Sequence, residues 1–270
     1  MGFTQSSGRT RLDHVEQQPP WKVIRSFSND SGEALVHLHN VSGGILSTDH
    51  LEAQITVGCG CQAQITTTSA TRIYRARTEK DLATQKTSAV IENGAVLEYL
   101  PDALIPFARS RYSQKIEFNL HEDAGLFCWE IIAPGRTQEC FAFDLLQMQT
   151  AITTSSGCIF HESSSLQPAS QNLQAATRMG GFAYHAAMYV CRTGLPQTTW
   201  HALEKEMAYA IHSWRSEHQI WGVSRLRQDG LILRGLSLEA PFLVEGCLKF
   251  WRKTKLALYG VEPVPPRKLL

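Results

Sequence analysis

Two imidazoles and two thiols stand at spacings that a metal ion would recognise. His37 and His39 lie two apart in the alternating run Ala34-Leu35-Val36-His37-Leu38-His39. Strand side chains repeat every two residues, so both rings share one face, and Cys59 and Cys61 aim alike for the same reason. Neither pair is completed nearby. Gly43 and Gly44 occupy the stretch where a cupin-type third ligand would stand, Glu52 is the carboxylate left to serve, and no second Cys or His pair follows Cys61 at zinc spacing. Three acids are placed differently: Asp49, Glu98 and Glu130 fall in or beside apolar strand sequence. An ionised carboxylate in such a setting needs a cationic partner or a wet cavity. Arg72, Arg75, Arg109 and Arg136 are the candidates for structural ion pairs. The sharper reading is that the acids line a polar passage.

The common engines of catalysis are missing from the sequence. It contains no G-x-x-x-x-G-K-[ST] phosphate loop, no G-x-G-x-x-G fingerprint and no G-x-S-x-G nucleophile elbow. Lys and Arg number 26 against 25 Asp and Glu, a formal charge of +1, so no net field draws the chain to nucleic acid or acidic lipid. The seven cysteines are odd in number and scattered, and no apolar leader precedes them. That pattern points to free thiols in a reducing cytoplasm. No run approaches the roughly 18 apolar residues of a membrane span, which points to a soluble protein.

The elements that must position these residues are mainly strands. From Ser42 to Arg136 the sequence repeats a β-rich run, a glycine turn and another β-rich run, with Gly60, Gly94 and Gly125 as pivots. The period of roughly 31 to 34 residues is that of a stacked, β-helix-like scaffold. Residues 1–20 read as mobile, with a short edge strand over Gly8 to Leu12, and the Ser- and Gln-rich stretch 161–177 reads as a connection. Thr198 or Thr199 can cap a helix from Trp200 to about Ile211, and Gln228-Asp229-Gly230 marks a hairpin. Ser237 can cap a last helix that ends at Gly260, with Phe242, Cys247, Phe250, Trp251 and Leu258 as its buried stripe. Arg252, Lys253 and Lys255 fall at its negative end. The whole reads as a single domain, 1–270.

Taken in order, Gly8-Arg9-Thr10, Gly43-Gly44-Ile45 with Asp49, Gly60-Cys61, Ala70-Thr71-Arg72-Ile73-Tyr74-Arg75, Leu97-Glu98-Tyr99-Leu100-Pro101, Ile105-Pro106-Phe107, Trp129-Glu130-Ile131, Gly135-Arg136 and Pro266-Arg267 resemble the urease accessory protein UreD, also called UreH. The resemblance covers nearly the whole chain. It implies a non-enzymatic, mostly β scaffold that binds UreF, which carries the GTPase UreG, and docks the assembly onto apo-urease. GTP hydrolysis then belongs to UreG. It also implies an internal polar tunnel for Ni(II), with no tightly bound cofactor. Asp49, Thr71 and Glu130 are the first matches to its lining, and Glu98, Cys61 and Arg136 follow. Sparse carboxylates suit a nickel ion that must be released, whereas a closed thiolate cage would trap it. The chain departs from the family pattern in Ser47-Thr48, which replaces a glycine pair before Asp49, and in the ending Lys268-Leu269-Leu270. The strand ahead of Gly8 is expected to be missing or reduced. Two rivals stand beside this reading: a cupin-like β-barrel metalloenzyme using His37, His39 and Glu52, and a pure interaction scaffold with no nickel path.

Overall fold

Strand alternation winds the chain between two faces. In His50–Val57, Leu51, Ala53, Ile55 and Val57 are buried while His50, Glu52, Gln54 and Thr56 face solvent. Such a strand is satisfied only by an apolar layer on one side, and that layer is a second sheet. The computed structural model describes residues 1–266, so Arg267 and the ending Lys268-Leu269-Leu270 lie outside the described residues.

The strands are β1 (Gly2–Ser6), β2 (Arg9–His14), β3 (Trp21–Ser28), β4 (Ala34–Asn40), β5 (His50–Val57), β6 (Gln62–Thr67), β7 (Thr71–Ile73), β8 (Ala83–Ile91), β9 (Val96–Tyr99), β10 (Leu104–Pro106), β11 (Arg111–Leu120), β12 (Gly125–Ile132), β13 (Leu145–Thr154), β14 (Gly157–Leu166) and β15 (Tyr184–Arg192). Helix α1 (Gln197–His212), the hairpin β16 (Gln219–Arg225) and β17 (Gly230–Ser237), and helix α2 (Ala240–Tyr259) complete the chain. The first sheet runs β14-β13-β11-β8-β5-β1-β2, and the second runs β16-β17-β15-β12-β9-β6-β4-β3.

The repeat is a parallel coil. Its turns set Leu51, Gln85, Gln114 and Met148 side by side in the first sheet, and Ala34, Ala63, Leu97 and Leu126 in the second. A short third face joins them where Ile45 pairs with Ile73, β7 with β10, and Leu104 with Ile132. Gly60 and Gly94 do turn the coil, with φ of 66° and 65°. The third pivot is Asp123, at φ 52°, and Gly125 is instead a strand residue of β12. A β-carbon at Gly125 would run into Tyr259 Oη, so glycine is there for close approach and not for turning.

Both ends of the coil are finished by antiparallel ribbons. Residues 2–14 form the hairpin β1–β2 rather than a mobile start; β2 is the edge strand expected over Gly8 to Leu12, and β1 extends the first sheet by pairing with β5. A strand therefore does precede Gly8. Its only deeply buried apolar anchor is Phe3, too little signal for the sequence to reveal. The connection expected over 161–177 begins later, because β14 continues to Leu166 on β13. There Ser163 and Ser165 are exposed on an edge and Ser164 takes the inner face, so a run of three serines hides the strand pattern.

The two helices cover the outer face of the second sheet, where Phe127, Trp129, Met188 and Leu233 pack against Trp200, Met207, Leu243, Phe250 and Trp251. Gly260 ends α2 in the left-handed region, as its position predicts. The caps differ from expectation: α1 starts after Pro196 without a side-chain cap, and Ser237, the last residue of β17, accepts from the Glu239 amide. Lys255 departs furthest. It is not at the solvated end of α2 but on its buried stripe.

Candidate functional site

Between the sheets the apolar interior is split in two. One cluster gathers Ile55, Val57, Leu97, Ile116, Phe118 and Leu126, and the other gathers Ile45, Leu51, Ile73, Tyr112, Phe143 and Leu146. Inward positions between them are polar: Gln85, Gln114 and Thr150 from the first sheet, Glu130 from the second. Glu130 faces inward because it continues the alternation of Leu126 and Cys128, while Phe127, Trp129 and Ile131 face the helices.

Two donors hold the Glu130 carboxylate. Gln114 Nε2 donates to Oε1 at 2.8 Å and Thr150 Oγ1 to Oε2 at 2.8 Å. The one proton of the Tyr189 hydroxyl lies between two acids, with Glu162 at 3.1 Å and Glu130 Oε2 at 3.4 Å, and Arg234 donates to the other oxygen of Glu162 at 2.9 Å. Burial pushes the Glu130 pKa up and the Glu162 charge adds to the rise, while its hydrogen bonds oppose it. His185, on β15, has Nδ1 buried without a partner, and burial lowers its pKa, which favours the neutral imidazole that binds metals.

Two cavities meet at this carboxylate. The smaller, about 60 Å³, reaches from Glu130 past Gln85 and Gln114 to Gly43, Gly44, Thr71 and Asp102. The larger, about 570 Å³, opens between the edges of the two sheets and is lined by Glu130, Thr150, Glu162, His185 and Tyr189 with a broad apolar wall. Glu130, Ile132 and Met148 belong to both.

Of the residues expected at a passage, Glu130 lines both cavities and Thr71 the smaller one. Asp49 does not join them. Its Oδ2 accepts from the Leu46 amide at 2.9 Å and closes its own turn. Neither Ser47 nor Thr48 takes a positive φ, so that turn needs no glycine pair. Cys61 is sealed in the apolar interior, where burial raises its thiol pKa. Glu98 lies on the opposite face of the second sheet, under α2, with Lys255 Nζ 2.7 Å away. Its cation is thus a lysine from the last helix and none of the four arginines. Arg136 does form an ion pair, with Glu139, and Arg72 bonds only the Gly43 carbonyl, at 3.4 Å, with no carboxylate partner among the described residues.

The histidine pair does not build a metal centre with Glu52. His37 and His39 share the outer face of the second sheet, His37 edge-on to Phe27 and His39 bonded to Thr68 at 2.9 Å. Glu52 points outward from the first sheet. The inner core therefore lies between them, and among the described residues no three His, Cys, Asp or Glu side chains converge on one point. Sequence reasoning missed Gln114, Thr150, Glu162, His185, Tyr189 and Arg234. Gln114 and Thr150 were detectable as polar residues at inward positions, between Tyr112 and Ile116 and between Met148 and Ile152.

Comparison with known proteins agrees with the architecture and the ordered blocks. The family described as UreD urease accessory protein matches residues 1–269. A Herpetosiphon aurantiacus protein named urease accessory protein UreD is 41% identical over 272 residues, covering 100% of this chain and 94% of its own length. A Methylorubrum populi protein named urease accessory protein UreD 3 is 33% identical over 98% of this chain and 86% of its own. A Halalkalibacterium halodurans UreD is 30% identical over 70% of each chain. The chain belongs to the UreD family of urease accessory proteins.

Proposed function

We propose that this chain is a non-catalytic adaptor of urease maturation in the cytoplasm, which bridges apo-urease to UreF and the GTPase UreG and lets Ni(II) pass through its interior at Glu130. The observation that carries the route is that one carboxylate, set between the sheets, lines both cavities. A nickel ion passing there meets the oxygens of Glu130, Thr150 and Glu162 and the neutral imidazole of His185, a sparse set that holds it weakly. No helix among the described residues is long and apolar enough to cross a membrane.

The test is Glu130→Gln in a strain expressing urease with its accessory proteins. The adaptor complex is expected to form at normal yield, and the nickel content of purified urease to fall by about tenfold, the loss typical when one metal-facing group is removed. Normal nickel content sinks the route. A specific observation favours the rival scaffold reading: each oxygen of Glu130 already accepts a hydrogen bond, from Gln114 and from Thr150, as in a structural acid. On that reading Glu130→Gln destabilises the chain or its complex and leaves the nickel loading of surviving complexes unchanged.

A further inference from the structure

The larger cavity is furnished unlike a bare cation path. Phe141, Phe143, Leu166, Met179, Ile220 and Leu236 line it, and Ile220 is 36% exposed. Around these stand three guanidiniums, Arg178, Arg215 and Arg234. Arg234 is matched by Glu162 at 2.9 Å, whereas Arg178 and Arg215 are exposed and, among the described residues, have no carboxylate partner. The cleft opens between β14 and β16, the outermost strands of their sheets. At about 570 Å³ it lies within the roughly 300–1,000 Å³ range of binding clefts, and an apolar wall left open to water is unfavourable.

We infer that this cleft is the docking slot for a segment of a partner protein that presents apolar side chains together with acidic ones. The apolar side chains replace water on the Phe143 and Leu236 wall, and the carboxylates pair with Arg178 and Arg215 at the rim. The inference rests on the adaptor half of the proposed function and not on the nickel route.

The test uses the full chain co-expressed with its urease and accessory proteins, with photoreactive benzoylphenylalanine placed at Ile220. The expected crosslink joins one partner segment containing Asp or Glu among apolar residues. Arg178→Glu with Arg215→Glu should lower the recovered complex by about tenfold or more, as reversing paired interface charges does, and reversing the acids of the crosslinked segment should restore it. Arg178→Gln with Arg215→Gln gives a milder version should the reversed chain fold poorly. Crosslinks confined to this chain, a captured segment without acids, or dodecanoate competing away the crosslink at micromolar concentration would each overturn the inference. The crosslink at Ile220 reads the slot and the nickel content of purified urease reads the route, so a failed route and a failed slot read out separately.

Discussion

Lys255 carries its ammonium into the protein, 3% exposed, 2.7 Å from both Glu33 and Glu98. Burial works against its charge, and the two glutamates more than restore it. Gln64 donates to the other oxygen of Glu98 at 2.6 Å, and Trp251 to the same oxygen as Lys255 at 3.2 Å. Removing one member of a buried ionic group leaves the others uncompensated, which costs about 3–5 kcal/mol. Lys255→Met should therefore lose about that much in urea unfolding at pH 8. The pH dependence has a definite sign: burial already raises the Glu98 pKa against the pull of Lys255, so without the lysine its folded pKa stands further above the unfolded one and folding binds a proton. The variant should recover stability as pH falls towards 5 and lose it as pH rises through the raised value. A loss under about 1 kcal/mol, or one independent of pH, rejects the buried triad. Sequence showed that Glu98 needs a partner and not which one, because the lysine is supplied by α2 from far along the chain. Lys255 follows Trp251 by four residues on the buried stripe, a signal that its charge obscured.

Glycine plays two parts at the level of the strands and turns. Gly60 and Gly94 sit in the left-handed region that other residues enter at a cost, whereas Gly125 is extended and lets Tyr259 of α2 approach the second sheet. Tyr259 Oη is buried with no hydrogen-bond partner, and Arg192 lies 4.5 Å from the ring centroid. Gly125→Ala should push α2 outward and cost about 1–3 kcal/mol, the range of overpacking. Tyr259→Phe removes the clashing hydroxyl, so the double variant should regain much of the loss by thermal unfolding. Equal destabilisation of the single and double variants rules out the contact. Helix α2, the β16–β17 hairpin and the coil period were legible, since alternation and turn residues dictate them. The edge strand over Gly8 to Leu12 was legible too, as β2, whereas β1 and the far half of β14 were not, because β14 displays serine and β1 contributes few apolar residues to the core.

For the molecule as a whole, cysteine burial reports on how the coil and its helical cover come apart. Cys59, Cys140 and Cys158 are exposed, while Cys61, Cys128, Cys191 and Cys247 are buried, so a thiol reagent should modify three rapidly and all seven only in denaturant. Burial pushes Cys247 up to about 12 and holds Cys128 well above its usual value, so neither offers a thiolate near neutral pH while covered. They sit in different layers. Cys247 belongs to the buried face of α2, and Cys128 lies between the sheets, two residues before Glu130. The triad of Lys255 with Glu33 and Glu98 fastens α2 alone, so Lys255→Met should speed labelling of Cys247 and leave Cys128 at its wild-type rate in dilute denaturant. Mass spectrometry of the labelled peptides distinguishes them. If both cysteines become reactive together, the helical cover and the coil unfold as one unit, and loosening α2 necessarily disturbs the interior at Glu130.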